Sequence, residues 1–277
     1  MRGARAGQRI TPRISFERVH DVERPNTIQP QRLSHYPALP APVRLRLVTL
    51  PAHECPYLPG RMAMNRAFMV ERLSAETYDK FMDAGFRRSG RVVYQPVCRG
   101  CRACVPIRVP VGPFHPGKSQ RRCWRRNQDL VVSIDDSPTA DDESFELYLR
   151  YMTHWHDGDS AAGTTRSEFI SFLYESPVHT IEFKYRDAAG RLLAVGICDV
   201  SQRALSSVYF YFDPSESRRG LGTFGALYEI EHARQAGIEH YYLGYWVGDC
   251  AAMRYKATFR PCEFLCGDGV WRAAANR

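Results

Sequence analysis

Cys98, Cys101 and Cys104 stand three residues apart in VCRGCRACVPIRVP, and Cys55 lies upstream in HECPYLPG. Four thiols in that order can hold a zinc ion tetrahedrally, close disulfides, or simply pack. A second grouping is GKSQRRCWRR at 117–126, with Lys118, Arg121, Arg122, Arg125, Arg126 and Trp124 and no acid among them. Arg121 and Arg125 are four apart, as are Arg122 and Arg126. On a helix they would form adjacent rows able to follow a phosphate backbone, with Trp124 placed to stack on an unpaired terminal base. The plainer alternative is a solvated basic face. A third grouping is SRRGLG at 217–222. Gly220 and Gly222 suit a turn that aims a helix N-terminus at the phosphates of an acyl donor, or only a tight strand-to-helix connection. His154 and His156 flank Trp155, but a two-residue spacing does not put both on one helix face, so no metal is expected there.

These groups need elements to position them. The first 44 residues are rich in Pro, Arg and Gln and read as a flexible arm, followed by the strand-like RLRLVTL that ends at residue 50. SAETYDKFMDAG reads as a helix with Ser74 as N-cap and Gly85 at its end. RVVYQPV and CVPIRVPV read as strands on either side of the cysteine stretch. DDESFELYLRYMTHWH and TRSEFISFLYES carry apolar residues at helical spacing. The texture then changes to an antiparallel meander through LLAVGICDVSQRALSSVYFYFDP, the glycine turn, the helix LGTFGALYEIEHARQAG, the strand HYYLGYW and the short helix AAMRYKATF. This order predicts an α+β fold: a GNAT-like acyltransferase core with a mostly antiparallel central sheet, and a cysteine-containing N-terminal α/β region packed on it. The expected divisions are an arm at 1–44, an N-terminal domain at 45–128 and a catalytic domain at 129–277.

Bulk properties narrow the function. No apolar run reaches the roughly 18–20 residues of a membrane-spanning helix, and the basic N-terminus lacks the apolar core of a secretory signal, so a cytoplasmic protein is expected. An organelle transit segment remains open. Nine cysteines in a reducing compartment are mostly free thiols, and Cys123, Cys198, Cys250, Cys262 and Cys266 read as packing or surface residues. A net charge of +8 favours an anionic partner.

Longer motifs carry a resemblance. CPYLPGRMAMNRAF, AGFRRSGRVVYQPVCRGCRACVPIRVPV, SQRRCWRRN, LSSVYFYFDPSESRRGLGTFGALYEIEHARQAGIEHYYLGYWV and MRYKATFRPCEFL resemble the aminoacyl-tRNA–protein transferases. Within them the bacterial aspartate/glutamate leucyltransferase branch, related to eukaryotic arginyltransferase, is most similar. The resemblance runs from about residue 46 to 270. It implies transfer of leucine from leucyl-tRNA to proteins that begin with Asp or Glu, which marks them for N-degron proteolysis. The implied partners are leucyl-tRNA and such proteins, with no membrane and no DNA; the oligomeric state is unspecified. The aminoacyl-tRNA is a co-substrate and no cofactor is implied.

The chemistry would be aminolysis of an ester, which needs positioning and a modest base. Tyr209, Tyr211 and Tyr245 fall on the two strands that should line the cleft, and Trp246 beside them is a candidate for substrate contact. Asp213 and Glu263 are candidate bases, with a capping role equally open to Asp213 before Pro214. Arg218, Arg219, Arg254 and Lys256 are candidate cations for the acidic acceptor or for phosphates, and Gly220 and Gly222 would shape the donor turn. A leucyl donor calls for an apolar pocket, whereas an arginyl donor calls for an acid facing the guanidinium. Two other classes compete. A zinc-ribbon-like nucleic-acid-binding module would use the four cysteines and the basic run. A CoA-dependent acetyltransferase would use the glycine turn, although Ser217 stands where such enzymes carry Gln or Arg. Cluster-binding arginyltransferases pair a CxxC with two adjacent downstream cysteines. Leu58 and Ala103 interrupt that pattern, so a metal-free cysteine cluster is expected.

Overall fold

The computed structural model describes residues 46–155 and 163–274. The N-terminal arm and His156 lie outside the described residues. Its strands are β1 (Val48–Thr49), β2 (His53–Glu54), β3 (Met62–Ala63), β4 (Asn65–Met69), β5 (Arg87–Ser89), β6 (Val92–Pro96), β7 (Val105–Pro110), β8 (Val131–Asp135), β9 (Thr180–Arg186), β10 (Leu192–Val200), β11 (Ala204–Phe212), β12 (His240–Trp246), β13 (Glu263–Leu265) and β14 (Trp271–Ala273). Its α-helices are α1 (Ala75–Asp83), α2 (Lys118–Arg126), α3 (Asp142–Trp155), α4 (Arg166–Leu173), α5 (Leu221–Gln235) and α6 (Ala251–Arg254). No described helix is long and apolar enough to cross a membrane.

The larger sheet has eight strands in the order β14-β13-β7-β12-β11-β10-β9-β8, antiparallel except for the β11–β12 pair. α5 covers one face through Phe224, Leu227 and Ile230, while α3 and α4 cover the other through Leu147, Phe169 and Leu173. β10 lies between these layers, and its first eight residues are all buried. That explains why LLAVGICD is continuously apolar up to its last residue rather than alternating. Gly225 lets α5 settle against β11, because a Cβ there would come within 2.1 Å of the Phe210 ring.

A smaller sheet, β1-β4-β6-β5, packs with α1 through Phe68, Phe81, Phe86 and Val93. α1 starts as its sequence predicts, with the Ser74 hydroxyl accepting from the Thr77 amide and Gly85 in the left-handed region at φ 85°. The two halves are tied by a buried ion pair: Arg88 Nε and Nη2 each donate to Asp199 at 2.6 Å. Residue 128 does not separate two sheets. β7, from the N-terminal half, sits inside the large sheet between β12 and β13.

Candidate active site

β11 and β12 run parallel and pair only over Ala204–Ser206 against His240–Tyr242. Beyond that point β11 stays with β10 as far as Phe212, while Tyr245 and Trp246 of β12 pair with β7. The two strands therefore diverge, and Gly244, at φ 79°, occupies the interruption in the β12–β7 register. A cavity of about 450 Å³ fills the opening, within the ~300–1,000 Å³ usual for small-ligand sites.

Each wall comes from a different element. β11 supplies Ser206 to Phe210 and Phe212; β12 supplies Leu243, Gly244 and Tyr245. The N-terminus of α5 closes one end with Gly220, Leu221, Gly222 and Thr223. Gly220 is left-handed at φ 70°, which lets the 3₁₀ turn Pro214–Arg219 reverse into α5 and present a helix N-terminus to the cavity. Met253, Tyr255 and Lys256 come from α6 and the 3₁₀ turn after it. The smaller sheet contributes Arg87, Arg88, Ser89 and Tyr94. No Asp or Glu lines the cavity among the described residues.

Lys256 is the lining cation whose charge this setting disfavours. Its Nζ donates to the Tyr245 carbonyl at 3.0 Å. Burial, reinforced by the nearby positive charge of Arg87, pulls its pKa from 10.5 down to about 7. Arg87 was not singled out from the sequence, yet it lines the same cavity with 5% of its surface exposed. Tyr94, beside it, is raised by burial to about 12 and stays a neutral phenol.

The cavity brings together Tyr209, Tyr245, Gly220, Gly222 and Lys256 of the candidates named from the sequence. Tyr211, on the same face of β11 as Tyr209 two residues earlier, is instead fully buried under α3, edge-on to Tyr148 at 5.4 Å, and does not line the cavity. Asp213 takes the capping role: its carboxylate accepts from the Ser215 amide at 3.0 Å and hydroxyl at 2.6 Å. Burial opposes ionisation there, but these bonds with Arg150 and Arg191 hold its pKa low, so it makes a weak base. Glu263 is held by Arg108 Nε at 2.7 Å. Trp246 does not line the cavity and packs on Phe264 at 5.2 Å. Arg219 is committed to Asp129 and Glu216, while Arg218 and Arg254 are exposed outside the lining.

α2 runs along the rim beside the glycine turn. Its Cys123 Sγ donates to the Gly220 carbonyl at 3.4 Å, and Arg126 donates to the Arg218 carbonyl at 2.5 Å. Lys118, Arg121, Arg122, Arg125 and Arg126 are all exposed. Trp124 faces inward and stacks on Tyr228 at 6.1 Å, so its ring packs on α5 rather than standing free for a base.

Cys55, Cys101 and Cys104 pack around Leu58, Val247, Cys250 and Met253, with Cys98 near enough to act on Cys104 electrostatically. Burial first, then the neighbouring thiols, raise the Cys104 pKa and keep it protonated. All nine cysteines are free thiols, and no group of three or more His, Cys, Asp or Glu among the described residues is set to hold a metal. Leu58, in place of a second ligand, is 8% exposed and fills the centre of this cluster.

Diverging parallel strands, a glycine turn at a helix N-terminus and a cleft between them define an acyltransferase with a GNAT-like core. Comparison with known proteins narrows the class. The model described as "Arginine-tRNA-protein transferase, N terminus" matches residues 53–122, and its C-terminus counterpart matches residues 143–266. The aspartate/glutamate leucyltransferase of Halorhodospira halophila (strain DSM 244 / SL1) is 41% identical over 232 residues, covering 83% of this chain and 98% of that relative. That of Stenotrophomonas maltophilia (strain R551-3) is 42% identical over 225 residues, covering 79% of this chain and 89% of the relative. Among solved structures, L-PGS from Bacillus licheniformis is similar with a TM-score of 0.42 and 11% identity, over 65% of this chain and 52% of that one. The chain belongs to the arginine-tRNA–protein transferase family and is an aminoacyltransferase.

Proposed function

We propose that the protein moves leucine from leucyl-tRNA to the N-terminal α-amine of proteins beginning with Asp or Glu, marking them for N-degron proteolysis. The observation that carries this reading is the charge of the cavity: Arg87 and Lys256 line it, Arg88 beside them is already neutralised by Asp199, and no acid lines it among the described residues. An arginyl donor would leave its guanidinium without a carboxylate partner, and a Lys or Arg acceptor would meet like charge. A leucyl side chain suits the apolar surface of Val208, Phe210, Leu221 and Met253. An acidic acceptor suits the cations.

The acceptor amine attacks the ester carbonyl, a C–N bond forms, and the C–O bond to the tRNA ribose breaks. A free α-ammonium titrates at about 7.7–8.0, so a base of pKa about 7 is well matched to take its proton. Lys256 is assigned that part: it accepts the ammonium proton and returns it to the leaving ribose oxygen. Backbone N–H groups at the start of α5 are disposed to stabilise the negative charge that develops between the two events. The exposed arginines of α2 would carry the tRNA backbone to the rim. The reaction uses aminoacyl-tRNA as co-substrate and requires no cofactor. The test is incubation with radiolabelled leucyl-tRNA or arginyl-tRNA and peptides beginning Asp, Glu, Arg or Lys. Label should pass from leucyl-tRNA to the Asp and Glu peptides; no transfer to either from either tRNA refutes the reading.

A further inference from the structure

Arg87 and Arg88 are neighbours on β5, equally buried at 5% exposure, and their charges are handled in opposite ways. Arg88 is neutralised by Asp199 and further held by Thr180 Oγ1 at 3.2 Å. Arg87 has no carboxylate within 4 Å among the described residues. Its Nη1 and Nη2 donate only to the carbonyl oxygens of Phe86, at 2.9 Å, and Gly244, at 3.3 Å. Its Nε is buried and has no hydrogen-bond partner. The guanidinium lies over the rings of Tyr242, at 4.9 Å, and Tyr245, at 5.8 Å. An arginine cannot shed its proton, so this charge persists in a place where burial penalises it and no protein anion relieves it.

Lys256 lies across Gly244 from it. A Cβ built on Gly244 would be 3.8 Å from Lys256 Nζ and 4.0 Å from Arg87 Nε, so about one residue's breadth separates the two cations. The absence of a side chain at 244 keeps that space open.

We propose that Arg87 is the specificity-determining residue that receives the side-chain carboxylate of the acceptor's first residue, while Lys256 across Gly244 faces the acceptor's α-amine. The proposal rests on the reading that acidic N-termini are the acceptors. The unpartnered Nε and the loosely held Nη2 share one edge of the guanidinium, and that edge fits a carboxylate side-on through two parallel bonds. The tyrosine faces shield the pair from water, which strengthens it. An Asn or Gln first residue has nearly the same shape but leaves the arginine charge uncompensated. Recognition is also coupled to chemistry. A carboxylate on Arg87 cancels the positive neighbour that disfavours protonation of Lys256, so the amine becomes a stronger proton acceptor when the correct substrate is bound.

The experiment compares wild type, Arg87→Gln and Arg87→Lys with leucyl-tRNA and two peptides that differ only in an N-terminal Asp or Asn. The ratio of kcat/KM for the two peptides, taken within one preparation, does not depend on how much of that preparation is folded. Arg87→Gln should lower the Asp-over-Asn ratio roughly ten- to a hundredfold, through the KM of the Asp peptide and with the KM for leucyl-tRNA unmoved. Arg87→Lys keeps the charge without the side-on edge and should restore part of the ratio. If Arg87→Gln proves unfolded by thermal melting, the lysine variant decides the matter. A wild-type preference for Asp that persists unchanged in the folded variant overturns the proposal alone. Wild-type protein inert toward both peptides overturns the functional reading and this proposal together.

Discussion

Replacing Lys256 with methionine tests the catalytic assignment most directly. An ordinary lysine is neutral in only about one molecule in three thousand at pH 7. With its pKa brought from 10.5 to about 7, Lys256 is neutral in about half of them. That gain in available base is what the buried setting beside Arg87 supplies. General-base participation typically contributes ~10²–10⁴-fold, so Lys256→Met should lower the single-turnover rate of leucyl transfer by that order. The assay is transfer from pre-formed leucyl-tRNA to an Asp peptide between pH 5.5 and 9. For wild type, kcat/KM should rise with pH through about 7 as free Lys256 loses its proton. The limb of kcat should lie higher, because a carboxylate bound at Arg87 favours the protonated amine. In Lys256→Met only the limb of the acceptor amine, near 7.7–8.0, should remain. Stability supplies the control. A lysine whose folded pKa is depressed binds fewer protons in the folded than in the unfolded chain, so its contribution to stability improves as pH rises from about 7 towards 10.5 and is least favourable below 7. The methionine variant should therefore melt no lower than wild type at pH 6. A folded Lys256→Met protein that transfers leucine within threefold of wild type, with an unmoved pH limb, would refute the assignment.

Three further outcomes follow from the same structure. Asp199→Asn leaves Arg88 charged and uncompensated in a site where both side chains are fully buried, and should lower unfolding free energy by about 3–5 kcal/mol in a denaturant titration. Reversing Arg121, Arg122 and Arg125 to glutamate, all exposed along α2, should weaken tRNA use and flatten its dependence on salt; unchanged kinetics at 50 and 200 mM salt, roughly the span over which such contacts act, would remove α2 from the tRNA path. Glu229, buried with Tyr241 bonded to one oxygen, has a pKa raised by burial from 4.5 to about 7. A raised carboxyl stabilises the fold at low pH and loses that contribution as pH rises from 4.5 through about 7, so wild type measured against Glu229→Gln should lose relative stability across that window in melting scans.

Local patterns made much of this molecule legible. The Ser74 cap, the helix after the glycine turn and the strand Leu192–Val200, apolar as far as Cys198, are set by spacing and by residue type, and they fold as those predict. What escaped was decided by partners distant in sequence. Nothing in the pair Arg87-Arg88 tells which arginine meets Asp199, more than a hundred residues later, and which is left without a carboxylate. Strand alternation offered a partial signal, since neighbours on a strand face opposite ways. Tyr209 and Tyr211 read alike because, two residues apart, they share one face of β11; the packing of Tyr148 and Phe169 over Tyr211 leaves Tyr209 as the ring that meets the cleft. Trp124 looked available to a base because a basic run hides the fact that its apolar face must cover Phe224 and Tyr228.

The division of labour across the cavity explains why β7 is embedded in the large sheet. On the proposed reading the donor end is built by the C-terminal half, from α5's N-terminus and β11, with Lys256 facing the acceptor amine. The acceptor end takes Arg87 and Tyr94 from the smaller sheet. Aminolysis requires the two ends to be held within a near-attack distance, where a displacement of about 1 Å can cost a hundredfold in rate. A flexible linker between separate domains could not maintain that. Three independent ties do so instead: β7 paired to β12 and β13, Arg88 with Asp199, and Tyr245 Oη donating to the Gly85 carbonyl at 2.8 Å. The last of these joins a cavity-lining strand directly to the turn that precedes Arg87. A change that loosens the smaller sheet should therefore weaken the selection of acidic acceptors before it weakens the binding of tRNA, because only the acceptor end depends on that sheet.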